Sequence, residues 1–412
     1  MKTDLDRIMQ QNNIDVLFVT GAAQHNSPMV YFTGTCHVSA GELIKKRGSE
    51  PLLFHYPMER EEAMRTGLKT VNYNDYSMVE LMKETGGDYT EAIALRYVKA
   101  FEKAGVTSGK AAVYGNADVS ATYAILKRLE RLLPDLKFEG FLNDEILLAA
   151  RMTKDADEIA HIRAMGKVTT EVVGRVADFL TGQRVKDETL VHADGTPVTV
   201  GEVKSNINLW LAEKNAENPE GTIFAIGRDA GIPHSVGNDA DPMRLGKTII
   251  FDIYPCEAQG GYFYDFTRTW CLGYAPDEVQ QLYEQVHSVY DQITSELKVN
   301  TPFSVYQKRV CELYEAMGHP TPLHTPQTEI GYCHSLGHGI GLNVHEKPFS
   351  GMVNASPNDN LIPGTVFTLE PGLYYPDKGM GVRIEDSLVT TPDGKFEILA
   401  EFPKQLVLPV KG

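Results

Sequence analysis

Between Phe251 and Trp270 the chain reads FDIYPCEAQGGYFYDFTRTW, and this stretch limits the fold more than any other because it places two acids in neighbouring apolar strands. Asp252 closes the run 249–252, and Asp265 lies inside 262–270; both runs are rich in β-branched and aromatic residues. Pro255 and the pair Gly260-Gly261 between them predict a β-hairpin with a short loop. Folding the arms together sets the two carboxylates side by side. Like charges facing across strands destabilise a sheet unless a cation or a proton intervenes. A bound metal meets that demand for both acids at once.

Two later strand-like runs, TVFTLEPGLYY and GMGVRIEDSLVTT, repeat the pattern with one acid each. Glu370 is flanked by Phe367 and Leu369, and Glu385 by Val382 and Ile384, yet charged side chains are rarely buried unless paired or metal-bound. Arg383, two residues before Glu385 on the same strand face, offers Glu385 an ordinary ion pair. That pair leaves Glu370, Asp252 and Asp265 unaccounted for. Upstream of these strands, YCHSLGHGIGLNVHEKP gathers His334, His338 and His345, and Gly337, Gly339 and Gly341 allow close backbone approach around His338. The spacing is not H-E-x-x-H, which excludes the helical single-zinc arrangement here.

Asp252, Asp265, His338, Glu370 and Glu385 thus form a candidate set of four carboxylates and one imidazole. Two divalent cations neutralise four carboxylates, whereas one leaves negative charge buried. Oxygen-rich ligation with a single His suits Mn first, with Co, Fe or Zn as alternatives.

At this point the sequence resembles the pita-bread metallopeptidases, in the aminopeptidase P and prolidase branch that cleaves Xaa-Pro bonds. D-x-x-P…G-Y-x-x-D-x-T-R-T, H-x-L-G-H-G-I-G-L-x-x-H-E-x-P, T-x-E-P-G-x-Y and G-x-R-I-E-D occur in that order, carried by residues 252–269, 334–348, 368–374 and 381–386. The resemblance covers residues from about 151 to the C-terminus. It implies an α/β N-terminal domain, residues 1–152, and an α+β pita-bread catalytic domain, residues 153–412. It also implies that the five residues are the ligands of two divalent ions and that His234 and His345 stabilise the oxyanion. His334, Arg383 and Tyr374 are then substrate contacts. In the implied mechanism a bridging water attacks the carbonyl before proline while Glu370 shuttles its proton. Arg383 either reads the carboxylate of a dipeptide's proline or orients Glu385. Asp265 follows Asp252 by thirteen positions, two more than in many aminopeptidases P, which bears on substrate length. Relatives with this N-terminal domain commonly form homodimers, so a homodimer is expected. Two other outcomes fit the same fold: an enzyme of non-peptide substrates, resembling creatinase or the dimethylsulfoniopropionate lyase, and a non-catalytic peptidase-like binding domain. Loss of ligands usually marks the latter, and all five positions are filled here.

The rest of the chain frames this site. At 412 residues it exceeds the length at which one core stops growing, so two domains are expected, with the border in the polar run RMTKDAD at 151–157. Helical spacing at 5–13, strands at 16–20, 30–33 and 52–55, a helix at 58–65, a strand at 111–114 and an amphipathic helix at 120–133 predict an α/β first domain. His25, His37 and His55 are scattered there and read as ordinary structural or surface residues. Residues 158–180 read as a long helix, 182–203 as a surface hairpin with His192 exposed, and 276–317 as two scaffold helices broken near Asn300-Thr301-Pro302. A net charge of −16 argues against a polyanionic partner such as nucleic acid. No apolar run approaches a membrane span. Five cysteines without a C-x-x-C fit a reducing cytoplasm. Gly246-Lys247-Thr248 fails as a phosphate loop because Asp241 stands where its first glycine belongs, and Ser335 fails as a nucleophile elbow because Cys333 replaces a glycine.

Overall fold

Alternation along the strand Val16–Gly21 shows how the first unit is layered: Leu17 and Val19 enter one apolar cluster, while Val16 and Phe18 enter another. A sheet buried on both faces in this way needs helices on both sides. The protein, described by a computed structural model over residues 4–142, 144–352 and 355–410, divides into two compact units. The first comprises Met1–Ala150 with Ala258–Gly261, and the second Arg151–Glu257 with Tyr262–Gly412.

In the first unit six strands pair in the order Lys69–Asn72, Leu52–His55, Gly41–Lys46, Val16–Gly21, Gly109–Asn116, Leu136–Glu139, with parallel and antiparallel neighbours mixed. The helices Tyr89–Lys103 and Val119–Leu132 cover one face, through Tyr97, Phe101 and Leu129. Leu5–Gln11 and Ser27–Thr33 cover the other. Residues 30–33, expected as a strand, belong to the helix Ser27–Thr33. Pro28 sits in its first turn, where a missing N–H costs nothing, and Thr33 satisfies its hydroxyl on the Met29 carbonyl. The strand Gly41–Lys46 escaped the periodicity reading because it ends in two lysines. Lys45 is buried, with its ammonium 2.5 Å from Asp6.

In the second unit a long helix, Ala156–Thr181, starts at a capping box of Asp155 and Glu158. With Val200–Ala212 it packs on a four-stranded sheet ordered Thr222–Ile226, Thr248–Ile253, Phe266–Leu272, Val407–Leu408. A second pair of helices, Asp277–Glu296 and Phe303–Ala316, packs on a five-stranded sheet containing Val366–Leu369 and Asp386–Thr390, and on the ribbon of Gly372–Tyr375 with Met380–Arg383. Each helix pair covers the outer face of its sheet. The inner faces carry the polar residues, beside a small apolar cluster of Ile223, Ala225, Ala230, Ile250 and Tyr374. Within 182–203 the hairpin is shorter than expected and turns earlier, pairing Arg184–Lys186 with Thr189–Val191, while residues 200–203 already belong to the helix Val200–Ala212; His192 is held to Glu202 at 2.9 Å and is only partly exposed. At the start of the unit a buried charge triad joins Arg151 and Lys154 to Glu346, at 2.7 and 3.0 Å.

Candidate metal centre

The two-residue period of a strand decides which side chains face inward. In Thr248–Ile253, Ile249, Phe251 and Ile253 enter the helix-covered core, so Ile250 and Asp252 face the opposite side. Across the hairpin, Asp252 pairs with Thr267, which places Asp265 diagonally beside it on the same face. The connection runs from Tyr254 to Asp265, longer than the short loop expected, and the second arm begins only at Phe266. Phe367 and Leu369 enter the second core, which turns Thr368 and Glu370 inward; Val382 and Ile384 do the same for Arg383 and Glu385. His338 arrives on the short strand His338–Gly339, which crowds its neighbours: a Cβ on Gly337 would lie 2.1 Å from the Thr368 carbonyl oxygen, and one on Gly339 2.0 Å from that of Lys347. Only glycine permits this approach.

These elements bring all five candidate ligands to the wall of one cavity of about 490 Å³. Donor atoms of Asp265, His338 and Glu385 all lie within 4.8 Å of one another. His338 Nε2 is 3.7 Å from Asp265 Oδ2 and 3.4 Å from Glu370 Oε1. Its other nitrogen, Nδ1, lies 3.1 Å from the Gly339 carbonyl oxygen, which can only accept. The ring is therefore the Nδ1–H tautomer and presents an unprotonated Nε2 to the carboxylates, the orientation a metal-binding imidazole takes. Burial, with His345 alongside, drops His338 to about 3, so it stays neutral.

The acids respond in the opposite direction. Burial raises Asp265 and Glu385 well above the usual carboxylate range, reinforced by their charged neighbours. Glu370 is pushed up to about 8, by burial that Arg383 partly offsets and Asp252 reinforces. Asp252 Oδ1, Asp265 Oδ1 and Glu385 Oε1 are buried without a hydrogen-bond partner. Leaving such atoms unpaired costs about 1–3 kcal/mol each, more for charged groups. Four converging carboxylates, three orphaned oxygens and an imidazole held with its lone pair inward fit divalent cations in this place.

Arg383 departs from expectation. Its guanidinium does not bind Glu385: Nη2 donates to Asp252 Oδ2 at 2.6 Å, Nη1 to the Tyr374 hydroxyl at 2.7 Å and the Pro233 carbonyl at 3.3 Å, and Nε to Thr267 Oγ1 at 3.2 Å. The partner of Glu385 is Thr267, whose hydroxyl donates to Oε2 at 2.7 Å. Sharing a strand face brought Arg383 and Glu385 to one wall, but the longer arginine reaches across to the neighbouring strand. Tyr374, expected to touch substrate, is fully buried behind the cavity wall. Its hydroxyl accepts from Arg383 and donates to His334 Nε2 at 2.8 Å, while His334 Nδ1–H donates to the Ser335 carbonyl at 2.7 Å. Burial, with Arg383 nearby, drops His334 to about 3. His234 and His345 both line the cavity and are exposed to it, and the His345 ring stands 4.3 Å from that of His338. Sequence reasoning missed Thr267 and Gln307. Thr267 shares the inward parity of Asp265, a usable signal; Gln307, whose Oε1 accepts from Leu336 N at 2.6 Å and pins the loop of His334, gave none.

A match to metallopeptidase family M24 spans residues 160–392, more than half of the chain. The chain belongs to that family. This M24 peptidase is 27% identical over 427 residues to an Xaa-Pro dipeptidase of Lactobacillus delbrueckii subsp. lactis, across 99% of this chain and 100% of the relative. The prolidase from Pyrococcus horikoshii OT3 superposes with a TM-score of 0.71 at 20% identity, over 98% of each chain. The X-Pro aminopeptidase from Thermotoga maritima MSB8 gives 0.72 at 22%, over 97% of this chain and 99% of that one. Those likenesses establish the fold, an α/β N-terminal unit with a pita-bread catalytic unit. The M24 peptidase is thus a metal-dependent enzyme acting on peptides, and its family implies divalent ions at the centre described above.

Proposed function

We propose that this M24 peptidase cleaves the bond before proline at the N-terminus of short peptides, using two divalent cations, Mn first among the candidates. The observation that carries this reading is the inward-facing set of Asp252, Asp265, His338, Glu370 and Glu385 with its orphaned carboxylate oxygens, in a chain matched end to end by an Xaa-Pro dipeptidase. Bound there, two divalent cations supply Lewis acidity and a nucleophile active at neutral pH. Glu370, on the cavity wall with its Oε1 3.4 Å from His338 Nε2, is placed to take a proton and return it to the leaving proline nitrogen. His345 and His234, exposed on the cavity wall, donate to the developing oxyanion. Arg383 fixes Asp252 and, through Tyr374, the tautomer of His334. We also take the enzyme to be a homodimer, as its resemblance to homodimeric relatives suggests. All five cysteines are free and four are buried, which supports a reducing compartment such as the cytoplasm.

The test combines metal analysis with a substrate panel. The purified enzyme is expected to hold two equivalents of Mn per chain and to hydrolyse Ala-Pro or Ala-Pro-Ala but not Ala-Ala-Ala. Two bound metals with no turnover of either proline peptide would overturn the substrate assignment. Light scattering that shows an active monomer would overturn the dimer.

A further inference from the structure

The cavity in front of the metal centre carries a charge pattern that the catalytic residues do not explain. Among its described lining residues the only permanent cation is Arg383, and that guanidinium is almost spent. Of its five N–H groups, one goes to Thr267, two to Tyr374 and Pro233, and one to Asp252, which leaves a single donor. A carboxylate held by an arginine fork needs two parallel N–H groups. The cavity therefore lacks a bidentate receiver for the terminal carboxylate of a dipeptide.

It does hold a spare acid. Glu220, just before the strand Thr222–Ile226, lines the same cavity and is exposed to it. The four buried carboxylates answer to the metals, and Asp252 also to Arg383, but Glu220 has no ion-pair partner among the described residues. Its charge reaches both Tyr254 and His345. The same cavity wall includes Val236, which is exposed, and Tyr254, which Glu220's charge reaches, and an aliphatic stem can lie on such apolar surface with its charged head in water. The aromatic face of Tyr254 adds attraction for a cation.

Resting on the Xaa-Pro reading, we propose that Glu220 is a specificity residue that receives the side chain of a Lys or Arg placed immediately before or immediately after the proline, so that the enzyme selects peptides for positive charge and not for a free carboxylate after proline. An exposed ion pair is worth up to about 1 kcal/mol, which corresponds to about fivefold in kcat/KM. The experiment uses the full Mn-loaded chain at low salt with Lys-Pro-Ala and Ala-Pro-Lys, each against its norleucine counterpart. In the wild type at least one Lys peptide should exceed its norleucine partner about fivefold. Glu220→Gln should bring that ratio to about one, and 0.5 M salt should compress it. Equal rates for both members of each pair in the wild type, or a preference that survives Glu220→Gln, overturns the proposal. Calorimetric binding of the same pairs to metal-free enzyme reads the preference without turnover. If no proline peptide is cleaved, the Xaa-Pro reading fails, and the binding ratios still decide Glu220: a Lys preference abolished by Glu220→Gln upholds the cation subsite, and its absence removes it.

Discussion

Asp265→Asn should act with opposite signs on the metal-free and metal-loaded enzyme. Donor atoms of Asp265 and Glu385 lie within 4.8 Å. Two unit charges at that separation repel by about 3.5 kcal/mol at an effective dielectric of about 20. The metal-free protein relieves part of this by holding protons, because burial first and this repulsion second raise Asp265 and Glu385. Asparagine removes the charge, keeps the volume and adds a donor for the neighbouring oxygens. At pH 8 the metal-free variant should gain about 1–2 kcal/mol, the part of the repulsion that protonation has not already relieved. At about 2.1 cal/mol/K of unfolding entropy per residue, over 412 residues, that corresponds to a rise in Tm of about 1–2 °C. With Mn present the sign reverses, because the variant has lost a ligand and wild type gains stability from bound metal. The assay is differential scanning calorimetry after EDTA dialysis and again with Mn. A metal-free variant less stable than wild type at pH 8 would refute the account of Asp265 as a repelled acid awaiting a cation.

The same electrostatics set a pH dependence. Folded, metal-free Glu370 titrates at about 8 against an ordinary 4.5, so the folded state binds more protons in that window and its stability contribution falls as pH rises through it. Tm in EDTA should decline from pH 5 to pH 8, and Mn should flatten or reverse the slope because ligands must be deprotonated to bind; a rising Tm in EDTA contradicts this. His345→Ala should keep both metals by elemental analysis but lose on the order of a hundredfold in kcat, as removal of one oxyanion donor does, and unchanged turnover would remove His345 from that role. Arg383→Lys should lower kcat/KM for an Xaa-Pro dipeptide and an Xaa-Pro-Yaa tripeptide together, because lysine cannot reproduce the bonds to Asp252, Tyr374 and Thr267. A loss confined to the dipeptide would show that Arg383 reads the carboxylate after all.

The inward acids were readable in the sequence because each interrupts an apolar strand, and a two-residue period fixes its face. Asp252, Asp265, Glu370 and Glu385 announced themselves in this way. The histidine loop was readable through glycines that tolerate backbone contact at 337 and 339. What lay hidden depends on reach across strands. That Arg383 bonds Asp252 and leaves Glu385 to Thr267 follows from the antiparallel register of residues 248–253 with 266–272 and the placement of the 380–383 ribbon beside them. No local pattern encodes that placement. Residues 30–33 were misread for the converse reason. Four residues of strand-like composition are too few to outweigh a proline that starts a helix.

The triad of Arg151, Lys154 and Glu346 bears on how this chain can be cut. Glu346 follows His345 directly and has no solvent exposure, and each of its oxygens meets one cation. Removing one partner of a buried ion pair costs about 3–5 kcal/mol. A recombinant fragment beginning at residue 153 would carry Lys154 without Arg151, and Glu346 Oε1, beside the loop of His345, would lose the guanidinium that holds it at 2.7 Å. A fragment meant to keep this triad has to start at or before Arg151, two residues upstream of residue 153. Keeping or omitting those two residues decides whether the carboxylate next to His345 retains both of its cations.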